Sequence, residues 1–233
     1  MNKIAIYTTL FRNKDMLPNP VEPTKNADYF VYTDKPSRHA FHNPVKVAKN
    51  GSGWLNAIKL SRSIKACPHR LQELTDYSTT IWIDANILQT KDLTPLIKQA
   101  EDSDIACFTH GYRKNVKEET DELIRLFHQN HTFEKDPNIG NPKDLENLLK
   151  YIQSKGFTSN KLWWTAILIR KNNDKVNEAM EEWNKCLEIY HRDQVSFPYI
   201  IEKYDLKIKT LSTISYIECP EFQEYFRYIP HRR

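Results

Sequence analysis

Glycine is scarce in this chain, five in 233 residues, and none falls between Thr8 and Asn13, where the first strand gives way to its loop. Sugar-phosphate nucleotidyltransferases carry a Gly-rich phosphate loop at that place, because Gly lets a backbone approach phosphate closely. That class is disfavoured. The four cysteines, Cys67, Cys107, Cys186 and Cys219, are far apart and form no Cys-x-x-Cys pair, which argues against a zinc knot and a redox motif. Cys107 and Cys186 sit in apolar patterns and are expected to pack as small buried hydrophobes. No apolar run approaches the ~18 residues that span a bilayer. Met1-Asn2-Lys3 leads into a strand without the apolar stretch of a signal peptide, so a soluble protein in a reduced, cytoplasmic setting is expected. Charge of one sign is not concentrated either. Lys and Arg are interleaved with Asp and Glu, the net charge is +4, and only His231-Arg232-Arg233 is purely basic. No nucleic-acid stripe results. With no repeat, low-complexity tract or linker, the chain reads as a single domain large enough for a buried core.

What the chain does contain is an alternation of strand and helix patterns. Residues 4–9 and 29–33 read as strands, separated by a Pro- and Asn-rich loop over 13–26. Residues 54–66 have helical apolar spacing and stop before Pro68, where a helix should end. A strand from Thr80 follows, then a helix with Pro95 in its first turn, capped by Asp92 or Thr94, and a short apolar strand over 104–109. Residues 115–161 are polar and helical, with a second helix opening at Asn141-Pro142. A long apolar strand over 163–169 precedes a helix that Asp174 is expected to cap. Its stripe of Val176, Ala179, Met180, Trp183, Leu187 and Tyr190 reads as core. The alternation predicts an α/β fold with a mostly parallel sheet covered on both faces.

Residues Thr80 to Asn86 read Thr-Ile-Trp-Ile-Asp-Ala-Asn, a strand of β-branched and aromatic residues ending on two polar side chains. Open α/β sheets bind ligands beyond the C-terminal ends of their strands. Asp84 and Asn86 offer a carboxylate and an amide oxygen there, hard donors suited to Mn²⁺ or Mg²⁺ carrying a diphosphate. That is the layout of a nucleotide-sugar glycosyltransferase. Asp and Asn are also common where a strand merely turns.

Several motifs together carry a resemblance. Lys65-x-x-Pro68-His69-Arg70-Leu71, Tyr77-Ser78 and Ile81-Trp82-Ile83-Asp84-Ala85-Asn86 come first. Phe108-Thr109-His110, Tyr112-Arg113, Glu118-Glu119, Ile169-Arg170, Trp183-Asn184 and His191-Arg192-Asp193-Gln194-Val195-Ser196-Phe197 follow in order. The series resembles the plant mucilage- and turgor-related glycosyltransferase-like domains, also known as domain of unknown function 616. The resemblance implies a fold of the GT-A type, a Rossmann-like sheet with a nucleotide-sugar site at its C-terminal edge. Residues 1–110 would form the nucleotide-binding half and 111–233 the acceptor side and tail. It also implies a hexosyl- or pentosyltransferase that uses a nucleotide sugar, a UDP-sugar foremost, on a glycan or another hydroxyl acceptor. Asp84-x-Asn86 stands where most GT-A enzymes have Asp-x-Asp. An amide brings no charge to the cation, so the diphosphate would supply much of it.

Residue by residue, Asp84 is the expected metal contact, assisted by Asn86, with His231 as a late third ligand or a disordered terminal residue. Thr8, Thr9 and Asp34 sit at strand ends where GT-A folds hold base and ribose. Arg62 and Lys65 lie one helical turn apart and so can face one ligand; by resemblance Lys65 touches the diphosphate or the sugar. Asp193, with Gln194, is the expected catalytic or acceptor-binding carboxylate, or alternatively a helix cap. If the enzyme inverts, Asp193 is the base; if it retains, Asp193 steadies the oxocarbenium ion. His110 and Arg113 follow a strand and line the sugar or acceptor pocket. His128 and His131 have metal-like spacing but no acid of fixed geometry beside them. Trp163 and Trp164 either stack on a sugar or, as aromatics opening a buried strand usually do, join the core. The remaining rival is a non-catalytic sugar- or protein-binding module on the same fold.

Overall fold

Residues 3–12, 16–36, 41–48, 53–129, 139–157, 161–212 and 219–230 are described in a computed structural model of the chain. Its first strand, β1 (Ile4–Leu10), pairs in parallel with β2 (Ala27–Thr33) on one side and β4 (Thr79–Ile83) on the other. β2 carries a parallel outer strand, β3 (Asn43–Lys46). Beyond β4 lies β7 (Trp163–Lys171), then β6 (Ile105–Thr109) and β8 (Ile208–Thr210), giving the order β3-β2-β1-β4-β7-β6-β8. β7 is antiparallel to both its neighbours, so the sheet is mostly parallel with one reversed strand.

The reversal follows from the connection. A single crossover helix would carry the chain back to the start of the sheet for another parallel strand. Two helices, α3 (Val116–His128) and α4 (Pro142–Gln153), lie between β6 and β7 instead. β7 therefore starts beside the end of β6, where the His110 N–H donates to Leu162 O at 3.2 Å. A separate antiparallel pair, β5 (Ile87–Gln89) with β9 (Phe226–Tyr228), ties the late chain to the segment just after β4. These three-residue strands are too short to show a period in the sequence.

Alternate residues of the central strands feed two cores. Ala5, Tyr7 and Trp82 join a cluster with helices α1 (Trp54–Ala66), α5 (Asp174–Ile189) and α6 (Asp193–Lys203). Ile6, Ile81 and Ile83 join a second cluster with Leu96 of α2 (Thr94–Gln99) and Phe222 of α7 (Pro220–Tyr225). The α5 stripe from Val176 to Tyr190 is buried as its spacing predicts, and each large apolar side chain so buried contributes roughly 1.5–3 kcal/mol. All four cysteines are free and buried.

Three caps separate expectation from structure. Leu93 holds the cap position of α2 without a side-chain cap bond and Thr94 is its first helical residue, so neither Asp92 nor Thr94 is the cap; Asp92 Oδ1, one residue before the cap, accepts the Thr94 N–H at 2.9 Å. α5 is capped by Asn173, whose Oδ1 accepts the Val176 N–H at 3.0 Å, while Asp174 is its first helical residue and lies in the field of the N-terminal dipole. Asp193 likewise is the first residue of α6, and Arg192 holds the cap position without a side-chain cap bond. The Asp193 carboxylate is committed elsewhere. Among the described residues no helix is long and apolar enough to cross a membrane.

Candidate active site

β4 ends by delivering Asp84 into a turn. The Asp84 N–H donates to Ala166 O at 2.9 Å, and its carbonyl accepts from the Ile87 N–H at 2.9 Å. Two residues back, on the same face of the strand, Trp82 points its Nε1 at Asp84 Oδ1, 2.6 Å away. Among the described residues, the side-chain contacts of Asp84, from Trp82 and from Lys65 Nζ at 3.6 Å, fall on Oδ1, and the side chain stays 31% exposed. It opens on a cleft of about 360 Å³ above the C-terminal ends of β1, β4 and β6. Thr9, Arg62, Asn86, His110, Arg113, Asp193 and Gln194 line the same cleft. The topology thus gathers side chains that are far apart in the chain.

Beneath this lining lies Lys65. Its ammonium is fully buried, donates to Asp193 Oδ2 at 2.6 Å and Thr165 Oγ1 at 3.3 Å, and sits 5.5 Å from the Trp82 ring centre. Arg62 Nη1 reaches the same Asp193 Oδ2 at 3.1 Å. The one-turn spacing does make both cations face one group. That group is a carboxylate of the protein, so Lys65 braces the floor of the cleft and is not placed to touch a diphosphate or sugar directly. Burial lowers the Lys65 pKa, and the Asp193 and Asp84 carboxylates oppose that shift. Burial also works against an ionised Asp193, but Arg62, Lys65 and Arg192 outweigh it and hold the carboxyl far below the usual range. Asp193 Oδ1, Gln194 Oε1 and Arg62 Nε are buried without a hydrogen-bond partner among the described residues. Unpaired polar atoms are costly in a finished interior.

On the β6 side, His110 Nδ1 accepts N–H groups from Tyr112 at 3.3 Å and Arg113 at 3.2 Å. Burial drives its pKa down to about 4, against the pull of Glu119, so the imidazole is neutral at pH 7. Glu119, fully buried, binds Arg113 and Arg192 through their Nε atoms, the latter at 2.8 Å. Burial raises its pKa, and the two arginines outweigh that and lower it.

The remaining expected residues fall less centrally. Thr8 is buried on the opposite face of β1 from Thr9, beside a small cavity of about 30 Å³, so it does not line the cleft. Thr9 does, hydrogen-bonded to Ser61 at 2.6 Å. Asp34 accepts the Arg12 N–H at 3.2 Å at the ends of β1 and β2, outside the cleft lining; Arg12 in turn lies over Trp54, which is part of it. Trp163 and Trp164 are core, with Trp164 touching the cleft edge. His231 and His131 lie outside the described residues. Ile229, two residues before His231, donates its N–H to Asn86 O at 2.8 Å.

The arrangement also contains residues to which the sequence reading gave no role, although Tyr112, Glu119 and Arg192 stand within the motifs that carry the resemblance. Glu119 and Arg192 are the main ones, with Trp54, Tyr112 and Tyr228 on the cleft walls. A signal for Glu119 existed: it shares the stripe Val116, Glu119, Thr120, Leu123 that α3 buries, and a glutamate in such a stripe calls for a partner. Away from the cleft, Cys67, His69 and Glu181 bring ligand atoms within 4.8 Å of one another, but Arg70 already binds both Glu181 oxygens.

As a donor set for a divalent cation, Asp84 and Asn86 supply one carboxylate and one amide oxygen. That is too little for an all-protein cage. It fits a Mg²⁺- or Mn²⁺-type ion that a single carboxylate and substrate phosphates hold jointly. The surrounding cations Arg62, Lys65, Arg113 and Arg192 outnumber the carboxylates Asp84, Asp193 and Glu119, which favours an anionic ligand.

The chain belongs to the TOD1/MUCI70 glycosyltransferase-like domain family, whose model matches residues 1–231. No curated protein matches it in sequence. Among solved structures it is similar to the X-ray structure of the mannosyltransferase Ktr4p from S. cerevisiae, with a TM-score of 0.51 and 11% identity, covering 90% of this chain and 68% of that one. At that identity the likeness shows the fold, a glycosyltransferase fold, while the family membership supports glycosyl transfer in general.

Proposed function

We propose that this member of the family transfers a sugar from a nucleotide-sugar donor, a UDP-sugar foremost, to a glycan or another hydroxyl acceptor, assisted by Mn²⁺ or Mg²⁺. The observation that carries the reading is the half-exposed Asp84 at the end of β4, in one cleft with Asn86 and a surplus of cations. Asp84 and Asn86 would hold the metal, joined by His231, whose neighbour-but-one Ile229 is hydrogen-bonded to Asn86. When bound, such an ion acts as a Lewis acid toward the diphosphate leaving group.

The chain's own residues account for the rest. Arg62 and Arg113 line the cleft as fixed positive charge for the departing diphosphate, preorganised where negative charge develops. Thr9, on the β1 side of the cleft, suits the ribose or base. Asp193 is held ionised far below neutral pH, which makes it a poor proton acceptor, since a good general base has a pKa near the working pH. Its fixed negative charge, at the floor of the cleft, suits electrostatic stabilisation of an oxocarbenium-like sugar. That role belongs to the retaining alternative.

The test is thermal unfolding of the chain against a panel of nucleotides, each with and without Mn²⁺, repeated on Asp84→Ala. A ligand at about 100 times its dissociation constant adds about 2.7 kcal/mol. For a chain of this length that raises the midpoint by roughly 5–10 °C. The expected result is a shift with UDP that grows with Mn²⁺ and disappears in Asp84→Ala. A UDP shift that persists in the variant would remove Asp84 from the site. No shift with any nucleotide would favour a non-catalytic binding module.

A further inference from the structure

Two arginines on the β6 side of the cleft share one buried carboxylate. Glu119 Oε1 accepts from Arg192 Nε at 2.8 Å, and Glu119 Oε2 accepts from Arg113 Nε. An arginine whose task is only to neutralise a carboxylate is best satisfied by two parallel N–H groups on the two oxygens. Here each guanidinium uses Nε alone. Its terminal nitrogens make no hydrogen bond among the described residues, and both side chains, each 22% exposed, line the cleft. The third neighbour, His110 Nε2 at 3.9 Å, carries no charge at neutral pH. Two positive charges therefore meet one negative charge. Their unused N–H groups form a pair of forks at a cleft wall, a pattern that matches planar or tetrahedral oxyanions. The three residues come from different elements: Arg113 from the loop after β6, Glu119 from the first turn of α3, Arg192 from the entry to α6.

We propose that Arg113 and Arg192, oriented by Glu119, form a receptor for an oxyanion of the donor on the β6 side of the cleft. This rests on the nucleotide-sugar reading above and deepens it. The oxyanion has two chemical sources: a phosphate of the diphosphate, or a carboxylate carried by the transferred sugar. Arg113 and Arg192 would touch the ligand; Glu119 is a positioning residue that fixes where the forks point.

Isothermal titration of the full chain with pyrophosphate, UDP, UDP-glucose and UDP-glucuronate separates the sources, using wild type, Arg113→Met, Arg192→Met and Glu119→Gln. If the oxyanion is a phosphate, affinity for UDP and pyrophosphate falls about tenfold or more in each arginine variant, as expected for loss of a charge-assisted pair. If it is a sugar carboxylate, UDP binding is unchanged, and the wild-type preference for UDP-glucuronate over UDP-glucose is lost. Glu119→Gln keeps the side-chain volume and removes a negative charge. By field alone it would tighten anion binding; as a positioning residue its loss weakens the ligand that the arginine variants weaken. Tighter or unchanged binding in Glu119→Gln overturns the positioning role. Unchanged binding of all four ligands in both arginine variants overturns the receptor, as does a wild type that binds none of them. Arginine-dependent binding of pyrophosphate by a protein indifferent to uridine would keep the receptor and remove the nucleotide reading. Arg113, in a loop and partly exposed, supplies the variant whose fold is least at risk.

Discussion

Replacing Lys65 by methionine tests the buried charge cluster under the cleft. The side chain keeps its length and apolar stem but loses the ammonium that lies 2.6 Å from Asp193, 3.6 Å from Asp84 and 3.3 Å from Thr165. Asp193, fully desolvated, would be left with Arg62 at 3.1 Å as its remaining ion pair. Removing one partner of a buried pair costs ~3–5 kcal/mol, because the other charge stays buried. The surviving Arg62 contact places this case at the lower end, ~3 kcal/mol, a large part of the ~5–15 kcal/mol that holds a typical domain folded. At roughly 2–4 °C per kcal/mol for a chain of this length, the midpoint should fall by about 6–12 °C. Urea unfolding followed by tryptophan fluorescence, with scanning calorimetry at pH 7, reads both quantities. A second arm uses Asp193→Asn. In the double variant both members of the fully buried Lys65–Asp193 pair are neutral and only Arg62, whose side chain is 17% exposed, loses its partner, so the destabilisation should be clearly less than the sum of the two single ones. Stability of Lys65→Met within ~0.5 kcal/mol of wild type, or simple additivity in the double variant, would refute the reasoning.

The imidazole of His110, pushed down to about 4 by burial, should remain neutral on acidification to pH 5, which a ring-proton NMR titration measures directly. Because the unfolded histidine takes up its proton near 6.5, this group's contribution is fully present above that pH and is lost as pH falls toward about 4. His110→Asn, whose side-chain oxygen can still accept the Tyr112 and Arg113 N–H groups, should lose less stability over that window in denaturation curves. At the start of α5, Asn173→Ala should cost ~1 kcal/mol in chemical denaturation. Asp174→Ala should cost less, ~0.3–1 kcal/mol through the dipole alone; the opposite order would restore Asp174 as the cap.

The short strand before Asp84 was readable because its β-branched and aromatic residues report burial locally, and the long helices because their apolar stripes repeat every turn. α1 runs over Trp54–Ala66, the range its spacing predicts, and the α5 stripe is core. The direction of β7 was not readable, since an apolar run carries no sign of the way it pairs. Nor were β5 and β9, whose three residues hold no period. Lys65 marks the same boundary within the site. Its spacing from Arg62 showed that both face one group, but whether that group is a ligand or Asp193 depends on a residue 128 positions away.

By itself, then, the sequence determined the α/β alternation, the absence of a glycine-rich phosphate loop, and the family motifs around Asp84 and Asp193. Periodicity, turn chemistry and ordered motifs are all local properties of a chain. Only the tertiary structure decided that Asp193 is a braced anion and no helix cap, that Thr8 faces away from the cleft that Thr9 lines, and that Glu119 holds two arginines side by side. Each of those outcomes is set by desolvation and by charges brought together across the sheet, and neither exists until the chain has folded.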